Sequence, residues 1–207
     1  MATKPKRRSA SRSATSSDGD AVVAAALALA ARQGWRRTTL TEIAAEAGLS
    51  LAELHARFRS KPMILSACLR SFDRAVLAAA APNPKDKPRD RLFEVLMARF
   101  DALKPHRPAV RAMLRDSIGD PAALIGAKRL YTSMGWMLEA AGLSSAGLPG
   151  RTRKKLLMLV YLSVLYVFLG DESDDLAKTM AVLDRRLTLA QAWLGLGGPA
   201  PQRPGKA

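Results

Sequence analysis

Apolar residues along this chain recur three and four apart, and no stretch sustains the period-two alternation of a strand. Val23, Ala26, Leu27 and Ala30 mark a first helix over about 20–33; Gly34 ends it and Trp35 follows as an apolar plug. Two short helices come next, about 40–47 and 51–58. Their Ile43, Ala44, Ala47, Leu54 and Phe58 should close a three-helix core with Leu27 and Ala30. Ser60 caps a longer helix over 61–80, and Pro82, Pro84 and Pro88 then break the chain. Further helices are predicted at about 89–103, 107–117, 121–141, 151–169 and 174–194, so the fold class is all-α with nine helices.

The short pair carries the sharpest local signal. Thr39 and Glu42 stand three apart, as do Ser50 and Glu53. Both pairs match a capping box, in which a hydroxyl and a carboxylate satisfy the orphan amides of a helix start. Leu49 and Leu54 have the spacing of a hydrophobic staple, and Gly48 sits where the chain must turn at positive φ. Two helices across a glycine turn are the form of a helix-turn-helix, whose second helix can enter a DNA major groove.

Charge sharpens that reading. Lys and Arg number 33 against 18 acids, a net +15 over 207 residues, which favours a polyanion: nucleic acid or an anionic membrane surface. Residues 1–19 are basic, Ser-rich and without an apolar core, hence not a secretory signal. They are expected to be disordered, either as an arm along DNA or as a solubilising tail. The organisation expected is this arm, a head at 20–65 whose last helix runs on to about 80, a body at 81–195, and a flexible Gly/Pro-rich tail at 196–207. Cys68, the only cysteine, reads as a buried core thiol in a reducing cytoplasm.

Residues 156–169 are apolar nearly all round yet too short to span a bilayer, so they should be buried on all sides. The next helix is expected to open on an acidic first turn containing Asp171, Asp174 and Asp175, favourable to its dipole. Two such helices from each of two subunits would form a four-helix homodimer interface through Leu157, Tyr161, Val164, Phe168, Met180, Leu183 and Leu187; the alternative is an internal helix in a monomer.

The block AALALAARQGW…TTLTEIAAEAGLS…F…SK resembles the DNA-binding head of the tetracycline-repressor (TetR) family. Its marks are Gly34-Trp35, Thr38-Thr39, Ile43-Ala44, Ala47 to Ser50, Phe58 and Ser60-Lys61. The resemblance implies a homodimeric transcription regulator, most simply a repressor, with a ligand-binding body. The residues assigned to double-stranded DNA are Thr39, Thr41, Ser50, Leu51, Ala52, Glu53, His55, Arg57, Arg59 and Lys61. Leu51 and Ala52 stand where relatives commonly carry lysine and glycine, and His55 where tyrosine is usual. Glu53 replaces a common threonine, and Lys61 matches the family's phosphate contact. The run from Tyr166 to Arg186 is also similar to the ubiquinone-biosynthesis accessory lipid-binding family, which implies lipid and membrane-surface work on the same fold.

For a small apolar ligand in the body, Phe93, Met97, Phe100, Met113, Met134, Trp136 and Met137 are the candidate lining; ordinary core packing is the competing role for each. No nucleophile motif, phosphate-cradling glycine loop or metal-ligand cluster is found, so no catalytic residue, cofactor or metal is assigned. His106, in a Pro-flanked loop, is expected at the surface.

Overall fold

A computed structural model describes residues 8–117, 119 and 123–196, with side chains from Asp18 onward except at Ala123. Every regular element among them is helical: α1 Arg8–Gln33, α2 Leu40–Glu46, α3 Leu51–Arg57, α4 Lys61–Ala79, α5 Pro88–Leu103, a 3-10 turn Lys104–His106, α6 Arg107–Ser117, α7 Ala123–Ala140, α8 Gly147–Gly170 and α9 Ala177–Leu194. The described part of the first helix reaches back to Arg8, so residues 8–19 of the expected arm are helical. The rest of that arm (1–7), the start of the helix expected at 121, and the tail from 197 lie outside the described residues.

The chain divides into two units. One holds residues 1–71 and 108–123, the other 72–107 and 124–207. The expected boundary at the prolines falls in the loop after α4, whereas the units part inside that helix, between Ser71 and Phe72, and most of α6 groups with the head.

In the first unit α1 contributes Val22, Val23, Ala26, Leu27 and Ala30 to a core closed by Trp35, Ile43, Ala44, Leu54 and Phe58, all buried. Cys68 lies in the same unit, 1% exposed, and burial pushes its thiol up to about 12. Asp116 near the end of α6 accepts the Arg36 backbone amide at 2.9 Å, an 80-residue span that ties α6 to the turn after α1.

In the second unit α8 and α9 pack along one another, and α5 packs on α9. Leu92, Val95, Leu96, Phe100 and Leu103 of α5 are buried, as are Met134, Met137 and Leu138 of α7. Arg91 is buried too. It donates to the carbonyls of Ala141 (2.8 Å), Asp86 (2.7 Å) and Pro84 (3.3 Å), so it fastens the end of α7 to the loop before α5.

The acidic run before α9 differs from expectation. Residues 171–176 form a turn, not the first turn of the helix. Asp171 is fully buried, and its carboxylate accepts from the backbone and hydroxyl of both Ser173 and Thr179. Burial opposes its charge, but these four bonds win and hold it well below the usual carboxylate range. His106 also departs from its expected surface position: it is half-buried, 5.6 Å from the Phe72 ring, and desolvation lowers its pKa.

Candidate nucleic-acid interface

Both capping boxes form. Thr39 Oγ1 accepts the Glu42 amide (3.2 Å) while the Glu42 carboxylate accepts the Thr39 amide (2.7 Å) and hydroxyl (2.8 Å). Ser50 and Glu53 repeat this at 3.2, 2.8 and 2.7 Å. The Thr39 amide, then the Gln33 side chain and the Thr39 hydroxyl, lower the pKa of Glu42, and the Ser50 amide and hydroxyl lower that of Glu53. Between the helices Gly48 has φ +69°; its amide donates to Ala45 at 3.1 Å and that of Leu49 to Ala44 at 2.9 Å. That pair of bonds is a Schellman motif, and it needs a residue comfortable in the left-handed region.

This geometry sorts the assigned DNA contacts. On α3, Leu54 is buried against the head core, while Leu51, Ala52, Glu53 and His55 are exposed. Thr41 and Arg59 are exposed as well. The hydroxyl protons of Thr39 and Ser50 go to their glutamates, so Glu53, one of the assigned DNA contacts, is folded back on its own cap. Arg57 is ion-paired with Asp18 at 2.6 Å, half-buried. Lys61 donates to the carbonyls of Trp35 and Arg36 and lies 4.6 Å above the Trp35 ring, so its ammonium braces the turn after α1. Arg37 is exposed in that turn. It was not among the sequence-derived contacts; only its place beside the Thr38-Thr39 start of α2 could have marked it.

Leu157, Tyr161, Val164, Phe168, Leu183 and Leu187, expected at a dimer interface, are buried within the second unit, Tyr161 and Phe168 against Phe100 of α5. Met180 alone of that set is exposed. Large apolar residues turned outward include Leu159 and Tyr166 (81% exposed) on α8, and Leu189 and Trp193 on α9. Of the expected pocket lining, Phe100, Met134 and Met137 are fully buried core, and Phe93 and Met97 are half-buried. Trp136 is 51% exposed, and Met113 belongs to the other unit. Among the described residues no cluster of His, Cys, Asp and Glu could hold a metal, and no helix is long and apolar enough to cross a membrane.

Comparison with known proteins agrees with this picture. Residues 22–68 match the family model for bacterial regulatory proteins, tetR family, and residues 124–193 match that for COQ9. No curated protein matches the chain. Among solved structures, the TetR transcriptional regulator from Nitrosomonas europaea ATCC 19718 is 28% identical, with a TM-score of 0.68 over 85% of this chain and 98% of its own. A TetR transcriptional regulator from Rhodococcus sp. RHA1 is 21% identical at a TM-score of 0.65, over 85% and 96%, and shares the fold. The chain is thus similar to the TetR transcriptional regulators, through a helix-turn-helix head of their type and an all-helical fold over most of its length, and to COQ9 in its body segment.

Proposed function

We propose that this protein is a DNA-binding transcriptional regulator, acting in the cytoplasm as a homodimer and modulated by a small ligand in its second unit. The observation that carries this reading is the exposure of α3: one face, at Leu54, is buried, and Leu51, Ala52 and His55 are left free to face a major groove. Those side chains suit thymine methyl contacts and a single polar contact, so direct base readout is modest. Thr41, Arg37 and Arg59 would take phosphates, and Arg57 could do so after releasing Asp18. Leu159, Tyr166, Leu189 and Trp193 supply an outward apolar surface for the second copy. A ligand modulates the regulator only by binding its DNA-bound and free forms unequally.

The test is binding to the DNA flanking its own gene against a scrambled fragment, over a series of salt concentrations. A regulator binds more weakly as salt rises and still prefers the genuine sequence. Equal affinity for both fragments defeats the proposal.

The match of residues 124–193 to COQ9, together with the same outward apolar residues, favours a second reading: a lipid-binding accessory protein that works at a membrane surface. Lipid co-purifying with the protein and flotation with anionic vesicles would support it; their absence would remove it.

A further inference from the structure

The second unit buries positive charge that its nearby acid does not balance. Asp73 is 3% exposed, and both its oxygens are in use: Oδ1 accepts from Arg99 at 2.6 Å and from Ser133, Oδ2 from Arg129. Arg99 is completely buried; the Tyr161 hydroxyl lies beside its guanidinium, yet neither Nε nor Nη2 makes a well-formed hydrogen bond. The same two buried nitrogens are unmatched on Arg107, as is Nε on Arg129. Two guanidinium groups, those of Arg99 and Arg129, therefore share one carboxylate, and the spare donors of these two and of Arg107 are cut off from water. Such donors are rare in folded proteins, because leaving them unmade forfeits their solvation.

The identity of the spare atoms is informative. Nε and Nη2 lie on one edge of a guanidinium group, and their parallel N–H bonds match the two oxygens of a carboxylate. Both guanidinium groups border one run of rings. The Arg99 guanidinium is 5.2 Å from the Tyr161 ring, and the Phe100 ring lies 5.4 Å from Tyr161 and 5.2 Å from Phe168. The Arg107 guanidinium is 4.7 Å from the Phe168 ring. Flat anion receptors thus flank an apolar wall.

We propose that the second unit binds a small organic carboxylate, its head received by the open edges of Arg99 and Arg107 and its apolar part lying against Phe100, Tyr161 and Phe168. The proposal rests on the regulator reading only for what binding does to DNA affinity; the site itself stands on the orphaned donors.

Titration calorimetry on the full chain, at constant ionic strength, tests it with octanoate and 4-phenylbutyrate, their primary amides, and inorganic phosphate. Expected is saturable binding of at least one carboxylate at about one per chain, with its amide at least about tenfold weaker, because a charge-assisted bidentate contact becomes a neutral one. Arg107→Gln should weaken the carboxylate by a similar factor with an unchanged helical spectrum. Arg99→Gln should do so as well, but it also strips Asp73 of a partner, so Arg107→Gln is the deciding variant. The proposal is overturned if neither carboxylate binds, if amides bind as well as acids, if phosphate matches the carboxylates, or if Arg107→Gln changes nothing. Carboxylate binding with no effect on DNA affinity would retain the site and remove its role in modulating the regulator.

Discussion

Replacing Asp171 by alanine removes the acceptor on which the junction of α8 and α9 is built. The wild-type carboxylate takes the Thr179 amide at 2.8 Å and its hydroxyl at 2.7 Å, and Thr179 is itself fully buried at the start of α9. The two Ser173 donors are half-buried and can turn to water, so their loss costs little. The two Thr179 donors cannot. At about 1–3 kcal/mol for each buried donor left unmade, partly relaxed by local fraying, the loss comes to about 3 kcal/mol. For a chain of this size that lowers Tm by about 6–12 °C. Asp171→Asn keeps one carbonyl oxygen for Thr179 but turns an amide group on the Ser173 donors, so about half the loss is expected. The measurement is thermal unfolding followed by far-UV circular dichroism, with hydrogen exchange at Thr179 as a local reporter. The sign with pH follows from the lowered folded pKa. The stabilisation is fully present above the unfolded carboxyl's value, about 3.9, and disappears as pH falls through the lower folded one. The difference between wild type and variant should therefore stay constant down to about pH 4 and shrink only below it. An alanine variant within about 0.5 kcal/mol of wild type at neutral pH would refute the assignment.

Three other outcomes follow from the same packing. Leu54→Ala should destabilise the head by about 2–5 kcal/mol, whereas His55→Ala should stay within about 0.5 kcal/mol and alter only DNA affinity; equal thermal losses would mean that α3 is seated differently. Cys68, buried and pushed up to about 12, should resist thiol reagents at pH 8 until the protein unfolds, and rapid native labelling would contradict that burial. Burial lowers the His106 pKa, so its contribution to stability is complete above the ordinary histidine value, about 6.5, and is lost as pH falls through the folded value; a chemical-shift titration with a midpoint above that value would reverse this.

The head was legible because its signals are local. Thr39/Glu42 and Ser50/Glu53 close their bonds within one turn, and Gly48 reverses the chain within another, so three-residue spacing was enough. The outer face of α8 was not legible. Leu157, Tyr161, Val164 and Phe168 form one stripe and Leu159 and Tyr166 the opposite one, and in a helix apolar all round no polar residue says which stripe meets the protein's own core. The arginine cluster was missed for a related reason: a charged residue is read as solvent-exposed. Arg91 and Arg99 nonetheless occur in phase with Leu92, Val95, Leu96 and Leu103, and a cation on the apolar face of α5 was the available signal. The turn at 171–176 was mistaken for helix because acids at a helix start have a ready dipole explanation, whereas Asp171 reaches eight residues on to Thr179.

The self-contained caps on α2 and α3 bear on how this head can change over generations. Ser50, Glu53, Gly48 and Leu54 hold α3 in place without help from Leu51, Ala52 or His55. Those three positions can therefore change one substitution at a time, each variant still folding, so under the proposed DNA-reading role sequence preference would evolve separately from architecture.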